Sequence, residues 1–231
     1  MNEAVERYHR AGALHQASLM VAEQHVEEAV AIARRNPELR VGLHLTLCDG
    51  FATQPSLLTD ADGRLSPSAA RAGCNYAFNW RIREGLRAEI RRQFDKFTKL
   101  GFAPTYWDGH QHLHLHPVVV QLAVPIAREC GFKKMRIVRE PGSHSPLHWI
   151  FRGLSRGATD VLRRFAIDYD EQVFGLSRTG RMDLASFKAA LSHAHRISTE
   201  IYWHPGAEAN PPDPEVLAKL IAPLHSMRLT R

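Results

Sequence analysis

No apolar run in this 231-residue chain approaches the ~20 residues that a helix needs to cross a bilayer. The opening residues, Met1-Asn2-Glu3-Ala4-Val5-Glu6-Arg7, are charged and lack the apolar centre of a signal peptide. Cysteine is scarce. Cys48, Cys74 and Cys130 are odd in number and widely spaced, which argues against a disulfide framework and suits a reducing cytoplasm. None sits in a C-x-x-C pair, so cysteine-ligated zinc is not expected. The motifs that stack on or read nucleic-acid bases are also missing, so a formal net charge of +6 does not imply a nucleic-acid partner. Many basic residues lie along helical patterns such as Arg81 to Lys99, interleaved with Glu84, Glu89 and Asp95, which reads as a solvated helix face. The charge balance remains compatible with peripheral contact at the inner face of an anionic membrane.

What is present is enough apolar residue, 44% of the chain, to bury one core, so a single domain over 1–231 is expected. Asn2 to Arg10 reads as a helix closed near Gly12. Ala17 to Val21 reads as a short buried strand, and Glu23 to Arg35 as a helix with Val26, Ala29, Val30 and Ala33 at helical spacing. Arg40 to Leu47 alternates strictly, with Val41, Leu43, Leu45 and Leu47 on one side and Gly42, His44 and Thr46 on the other. The stretch from Asp49 to Trp80 is rich in Pro, Gly, Ser and Asp and reads as a long loop, a candidate lid. A helix with Ile82, Leu86, Ile90, Phe94 and Phe97 as its stripe follows. Next come a strand at Thr105 to Asp108, a helix from Pro117 to Cys130 and a strand at Met135 to Val138. A helix near Leu147 to Phe165 precedes irregular structure. Asp183 caps a helix through His193, Thr199 to Trp203 is a strand, and Asp213-Pro214 opens the last helix. Strands alternating with helices predict an α/β fold with a parallel sheet and a site at strand C-terminal ends.

The strongest chemical signal is Trp107-Asp108-Gly109-His110-Gln111-His112-Leu113-His114-Leu115-His116-Pro117. Pro117 disfavours helix at His116, so an extended run is expected, with all four imidazoles on one side and Leu113 and Leu115 toward the core. Metal ligation is one reason for such a run, and hydrogen bonding to backbone at a strand end is the other. His110 is favoured as a ligand because it stands at the strand exit. His44 lies on the polar side of its strand. His204, in Trp203-His204-Pro205-Gly206, fits either a general acid or a turn residue packed on Trp203. Asp108, Arg136 and Glu140 are candidate substrate-binding groups, with Arg–Glu pairing as the structural alternative.

Gly-Leu-His-Leu at 42–45, Asp-Gly-His-Gln-His-Leu-His at 108–114, Arg136-Ile137-Val138-Arg139-Glu140 and Trp203-His204-Pro205-Gly206 occur in that order. Together they resemble the YdjC-like (ChbG/HpnK) carbohydrate deacetylase family. Asn75-Tyr76, Glu89-Ile90-Arg91-Arg92-Gln93-Phe94 and Phe174-Gly175-Leu176 resemble its hopanoid-biosynthesis branch, HpnK. The resemblance implies a distorted TIM-like (β/α) barrel that binds a divalent metal, Mg or Zn. It also implies a hydrolase removing an N-acetyl group from an amino sugar or glycolipid. By position, His44 and His110 match the metal histidines. Members of the family begin with a strand ending in Ala-Asp-Asp-Phe-Gly, which supplies a ligand and the base. That strand is expected to be missing here, and the C-terminus to be short. A misassigned start, a degraded gene product, or a substitute ligand such as Asp108 or Glu140 are the explanations open. A metal-dependent phosphoesterase and a catalytically impaired sugar-binding protein are the rival functions.

Overall fold

The computed structural model describes residues 1–142, 145–193 and 197–228. Four parallel strands pair in chain order: β1 (Gln16–Leu19), β2 (Arg40–Leu45), β3 (Tyr106–Gly109) and β4 (Lys134–Met135). β5 (Gln172–Phe174) and β6 (Thr199–Ile201) form a second parallel pair. A parallel bridge between Lys134 and Asp168, and the Val173 N–H donated to the Arg139 carbonyl at 3.0 Å, carry the row from β4 to β5. At its far ends Gln16 Nε2 reaches Glu200 Oε1 at 3.5 Å, so the side chains of β1 and β6 meet. Among the described residues no backbone ladder joins those two strands. The fold is α/β with parallel strands, as the alternation predicts.

All but the third of the helices follow the periodicity closely. The helices are α1 (Asn2–Arg10), α2 (Val26–Arg35), α3 (Ala69–Phe78), α4 (Arg83–Lys99), α5 (Pro117–Glu129), α6 (Pro146–Arg164), α7 (Leu184–His193) and α8 (Pro214–Arg228). Leu86, Ile90, Phe94 and Phe97 form the stripe of α4, and all are fully buried. Phe94 meets Trp107 of β3 edge-on at 5.3 Å. Each such side chain contributes roughly 1.5–3 kcal/mol by leaving water. The termini are capped as their residues dictate. Ser145 Oγ accepts from the His148 N–H, and Asp183 Oδ1 accepts from the Ser186 N–H.

Three expectations need correction. The segment from Asp49 to Trp80 is not one loop, because α3 lies within it. Its first residues are also fastened: Thr53 donates its N–H and its hydroxyl to the two oxygens of Glu89, and Gln93 exchanges hydrogen bonds with the Thr46 backbone. Glu89 is therefore buried rather than part of a solvated face. Finally, the stretch read as irregular after α6 contains β5, whose three residues are too few for alternation to show.

β2 positions the site. Val41, Leu43 and Leu45 turn to the core, while Gly42 and His44 turn to the opposite, polar face. A side chain at position 42 would strike the Tyr106 ring at 2.5 Å, so glycine is what lets Tyr106 lie across the sheet. Ser18 of β1 is 3.4 Å from the Tyr106 hydroxyl and donates to Asp108 Oδ2 at 3.0 Å, which places all of these groups on one face.

Candidate active site at the strand ends

His44 and Asp108 are register partners on β2 and β3. His44 Nδ1 donates to Asp108 Oδ1 at 2.6 Å, and Arg136 pairs with Asp108 Oδ2. The Arg136 Nε and Nη2 groups donate to Glu200 Oε1 of β6 at 2.9 and 2.5 Å, and the guanidinium lies over the Tyr202 ring at 4.8 Å. Asp108 has no solvent exposure. Burial alone would raise its pKa, but Arg136 and His44 outweigh burial and hold it well below the usual carboxylate range. Burial would likewise lower the Arg136 pKa, and Asp108 with Glu200 drive it up instead. The result is a fixed ionic chain that commits His44 Nδ1 as donor. Nε2 is left as a lone pair, the acceptor nitrogen of the ring.

The histidine run is not extended. From His110 to Leu115 the chain makes a tight 3₁₀-type turn, kinked at Gln111 (φ 49°) and His112 (φ 57°). Leu113 and Leu115 do enter the core, but the four imidazoles diverge. His112 Nε2 meets the Tyr202 hydroxyl at 2.9 Å, His114 Nε2 donates to the Arg136 carbonyl at 2.9 Å, and His116 caps α5 by accepting from the Val118 N–H at 3.3 Å. Gly109 makes room for His114, because a Cβ there would lie 2.7 Å from the His114 Cβ. Burial lowers the pKa of His114 to about 4 and that of His112 well below its ordinary value, so both are neutral in the fold.

His110 alone faces His44, with ring centroids 5.5 Å apart. Its Nε2 is 3.5 Å from Asp49 Oδ2, and Gln111 Nε2 donates to the same oxygen at 2.7 Å. Asp49 is itself left-handed (φ 46°). Three of the four described non-glycine residues with positive φ are thus Asp49, Gln111 and His112, gathered at the mouth of the site. The turn that carries Asp49 is fastened by Glu23, whose Oε1 accepts from the Phe51 N–H at 3.0 Å; a Cβ at Gly50 would lie 2.5 Å from that oxygen. Burial, then the neighbouring His44, lower the His110 pKa, while Asp49 acts to raise it.

His204 follows β6 with its side chain 41% exposed. Its backbone N–H donates to Glu208 Oε1 at 3.0 Å, and Glu208 Oε2 accepts from the Met182 N–H at 2.7 Å, so the turn is braced from within. Burial lowers the His204 pKa, with Glu208 opposing. Of the expected substrate anchors, Arg136 and Asp108 pair with each other and with Glu200, His44 and Ser18, and Glu140 binds backbone. Glu140 accepts from the Gly175 and Ser177 N–H groups at 3.0 and 2.8 Å, fastening the end of β5. Asp49, Glu200 and Glu208 were not singled out by sequence reasoning. Glu200 carried a signal in its place on a strand, whereas Asp49 and Glu208 carried none.

His44 and His110 offer imidazole nitrogens suited to a divalent ion, and the Asp108–His44 bond is the arrangement that orients metal-ligating histidines. Among the described residues no group of three His, Cys, Asp or Glu converges closely enough to hold an ion. The donors present therefore fit part of an ion's shell.

A family model described as YdjC-like protein matches residues 1–227. A carbohydrate deacetylase of Brevibacillus brevis is 32% identical over 131 residues, covering 56% of this chain and 50% of that protein. The Mus musculus carbohydrate deacetylase is 28% identical over 236 residues, 91% of this chain and 75% of its own. A chitooligosaccharide deacetylase of Klebsiella pneumoniae is 27% identical, covering 78% of this chain and 66% of that protein. The match thus spans half the length of the first of these relatives. A solved Enterococcus faecalis structure, named for cellobiose-phosphate cleavage, superposes with a TM-score of 0.64 at 17% identity. It covers 90% of this chain and 76% of that one, and so shares the fold.

Proposed function

The chain belongs to the YdjC-like protein family, and from that premise we propose that it hydrolyses the N-acetyl group of an amino sugar. The observation that carries the reading is the His44–His110 pair at adjacent strand ends, with His44 locked by Asp108 so that Nε2 is free to bind. In this reading the two histidines hold a divalent ion. Zinc suits imidazole nitrogen better than magnesium, which favours oxygen. Such an ion would polarise an acetyl carbonyl and lower the pKa of a water.

The chain's own groups do the rest. Asp108, kept ionised by Arg136, fixes the tautomer of His44. Asp49 and Gln111 orient His110 at the rim. His204, neutral at pH 7 because burial lowers its pKa, first accepts a proton and then returns it to the departing nitrogen. Water oxygen joins the acetyl carbon, the C–N bond breaks, and acetate and a free amine leave.

Deacetylase relatives, one of them named for chitooligosaccharides, support the substrate class. For the finer identity we propose an acetylglucosaminyl lipid of the hopanoid type, with a soluble chitooligosaccharide as the alternative. The test is acetate release by the zinc-loaded chain from each substrate, beside His44→Ala and His110→Ala. Turnover that survives both substitutions, or no acetate from either substrate, would sink the reading.

A further inference from the structure

Large apolar side chains exposed to solvent gather beside the site. Phe78 and Trp80 are 86% and 76% exposed at the end of α3, and Leu147, Trp149 and Ile150 stand more than half exposed on the first turn of α6. The two groups follow the C-terminal ends of β2 and β4 and flank the histidine turn. Gly73 of α3 lies against the His116 ring, and Phe151 of α6 is 5.2 Å from the His112 ring. Leu57, 79% exposed, belongs to the same β2-to-α4 connection as Phe78 and Trp80.

Basic residues dominate the two segments that carry the tryptophans, with acids only at their borders, at Asp60, Asp62, Glu84 and Asp160. Residues 63–83 contain Arg64, Arg71, Arg81 and Arg83 and no Asp or Glu; residues 141–159 contain Arg152 and Arg156 and again no acid. Each exposed tryptophan carries an arginine beside its ring: Arg81 at 5.9 Å from the Trp80 centroid and Arg152 at 5.5 Å from that of Trp149.

We propose that this rim of exposed Trp80, Trp149 and their acid-free, arginine-bearing segments docks the protein onto the surface of an anionic lipid bilayer. Tryptophan prefers the boundary between headgroups and acyl chains, and arginine reaches the phosphates above it. The aliphatic Leu57, Leu147 and Ile150 would enter the acyl boundary, whereas they offer nothing to a stacked nucleic-acid base. A second copy pairing through the same patch would set arginine against arginine. Among the described residues no helix is long and apolar enough to cross a membrane, so the contact is peripheral. Docking in this orientation turns the strand ends, and the His44–His110 pair, toward the lipid. The proposal is independent of the chemistry assigned above, because it stands on exposed groups that take no part in it.

The test is sedimentation of the full chain with vesicles containing phosphatidylglycerol and with vesicles of phosphatidylcholine alone, with tryptophan emission followed in both. Binding to the anionic vesicles, reversed by high salt, with a blue shift in emission, is the expected result. The double variant Trp80→Ala/Trp149→Ala should bind on the order of tenfold more weakly, and Arg81→Glu/Arg152→Glu should bind at background. These side chains are exposed, so unchanged circular dichroism confirms that the variants fold. Equal binding to both vesicle types, or binding unaffected by the variants, overturns the proposal. So does a dimer, or an oligonucleotide complex, that the same variants abolish while no vesicle is bound.

Discussion

The two histidines that face each other are held by different physics. His44 rests on a largely buried ionic chain, Asp108–Arg136–Glu200, with Tyr202 beneath it. His110 rests on a half-exposed contact with Asp49, itself held by one side-chain bond from a left-handed Gln111. A buried chain is rigid, and breaking it leaves an uncompensated charge. An exposed, strained contact is cheap to break and free to adjust. The site thus pairs one fixed ligand candidate with one adjustable one, and mutations on the two sides should differ accordingly.

The largest effect is expected at the buried side. Arg136→Met removes the guanidinium shared by Asp108 and Glu200, leaving Asp108 to His44 and Ser18 and Glu200 to the long contact with Gln16, and should lower the unfolding free energy by about 3–5 kcal/mol, read from urea denaturation. A loss below about 1 kcal/mol would show that the chain is not the rigid half of the site.

Acid should come next. His114 has a folded pKa of about 4 against its ordinary 6.5, so between those values the unfolded chain binds a proton that the fold refuses. Stability therefore falls as pH drops through that window, by about 3 kcal/mol for His114 over its full span, and His112 acts in the same direction. Thermal midpoints measured from pH 7 to pH 4 check this, and a flat profile contradicts it.

Zinc affinity separates the two sides more directly. Asp108→Asn removes the charge that orients His44 and is expected to weaken zinc binding 10- to 100-fold, as is usual for such supports, whereas Asp49→Asn should cost no more than about tenfold. Calorimetric titration gives both numbers, and the reverse order would exchange the roles assigned to the two carboxylates. The smallest effect is expected from Gln111→Gly. Relief of a left-handed backbone offsets the lost bond to Asp49, and stability should stay within about 1 kcal/mol of the parent in a denaturation curve.

Legibility from sequence tracks how local the determining force is. The β2 alternation placed His44 on the polar face, and the α4 stripe was correct residue by residue, because one-sided burial imposes a period that a reader can count. The alternating His–Leu run misled for the same reason. Its period matches a strand, yet Gln111 and His112 turn left-handed because Leu113 and Leu115 enter the core while His112, His114 and His116 find separate partners. Glu89 reads as surface charge, but Thr53, Arg92 and Gln93 satisfy it in the interior. Those partners lie in other segments, and no spacing around Glu89 announces them.

By itself the sequence determined the α/β order of elements, the face on which His44 stands, and the strand exits where the candidate groups cluster, since each follows from period, capping and burial within one segment. Only the tertiary structure decided that His110 alone of its run meets His44, that Asp108 and Arg136 bind each other, and that Asp49 joins the site. Charge pairing and side-chain convergence are set between strands far apart in the chain, where cross-sheet register and burial act and local pattern is silent.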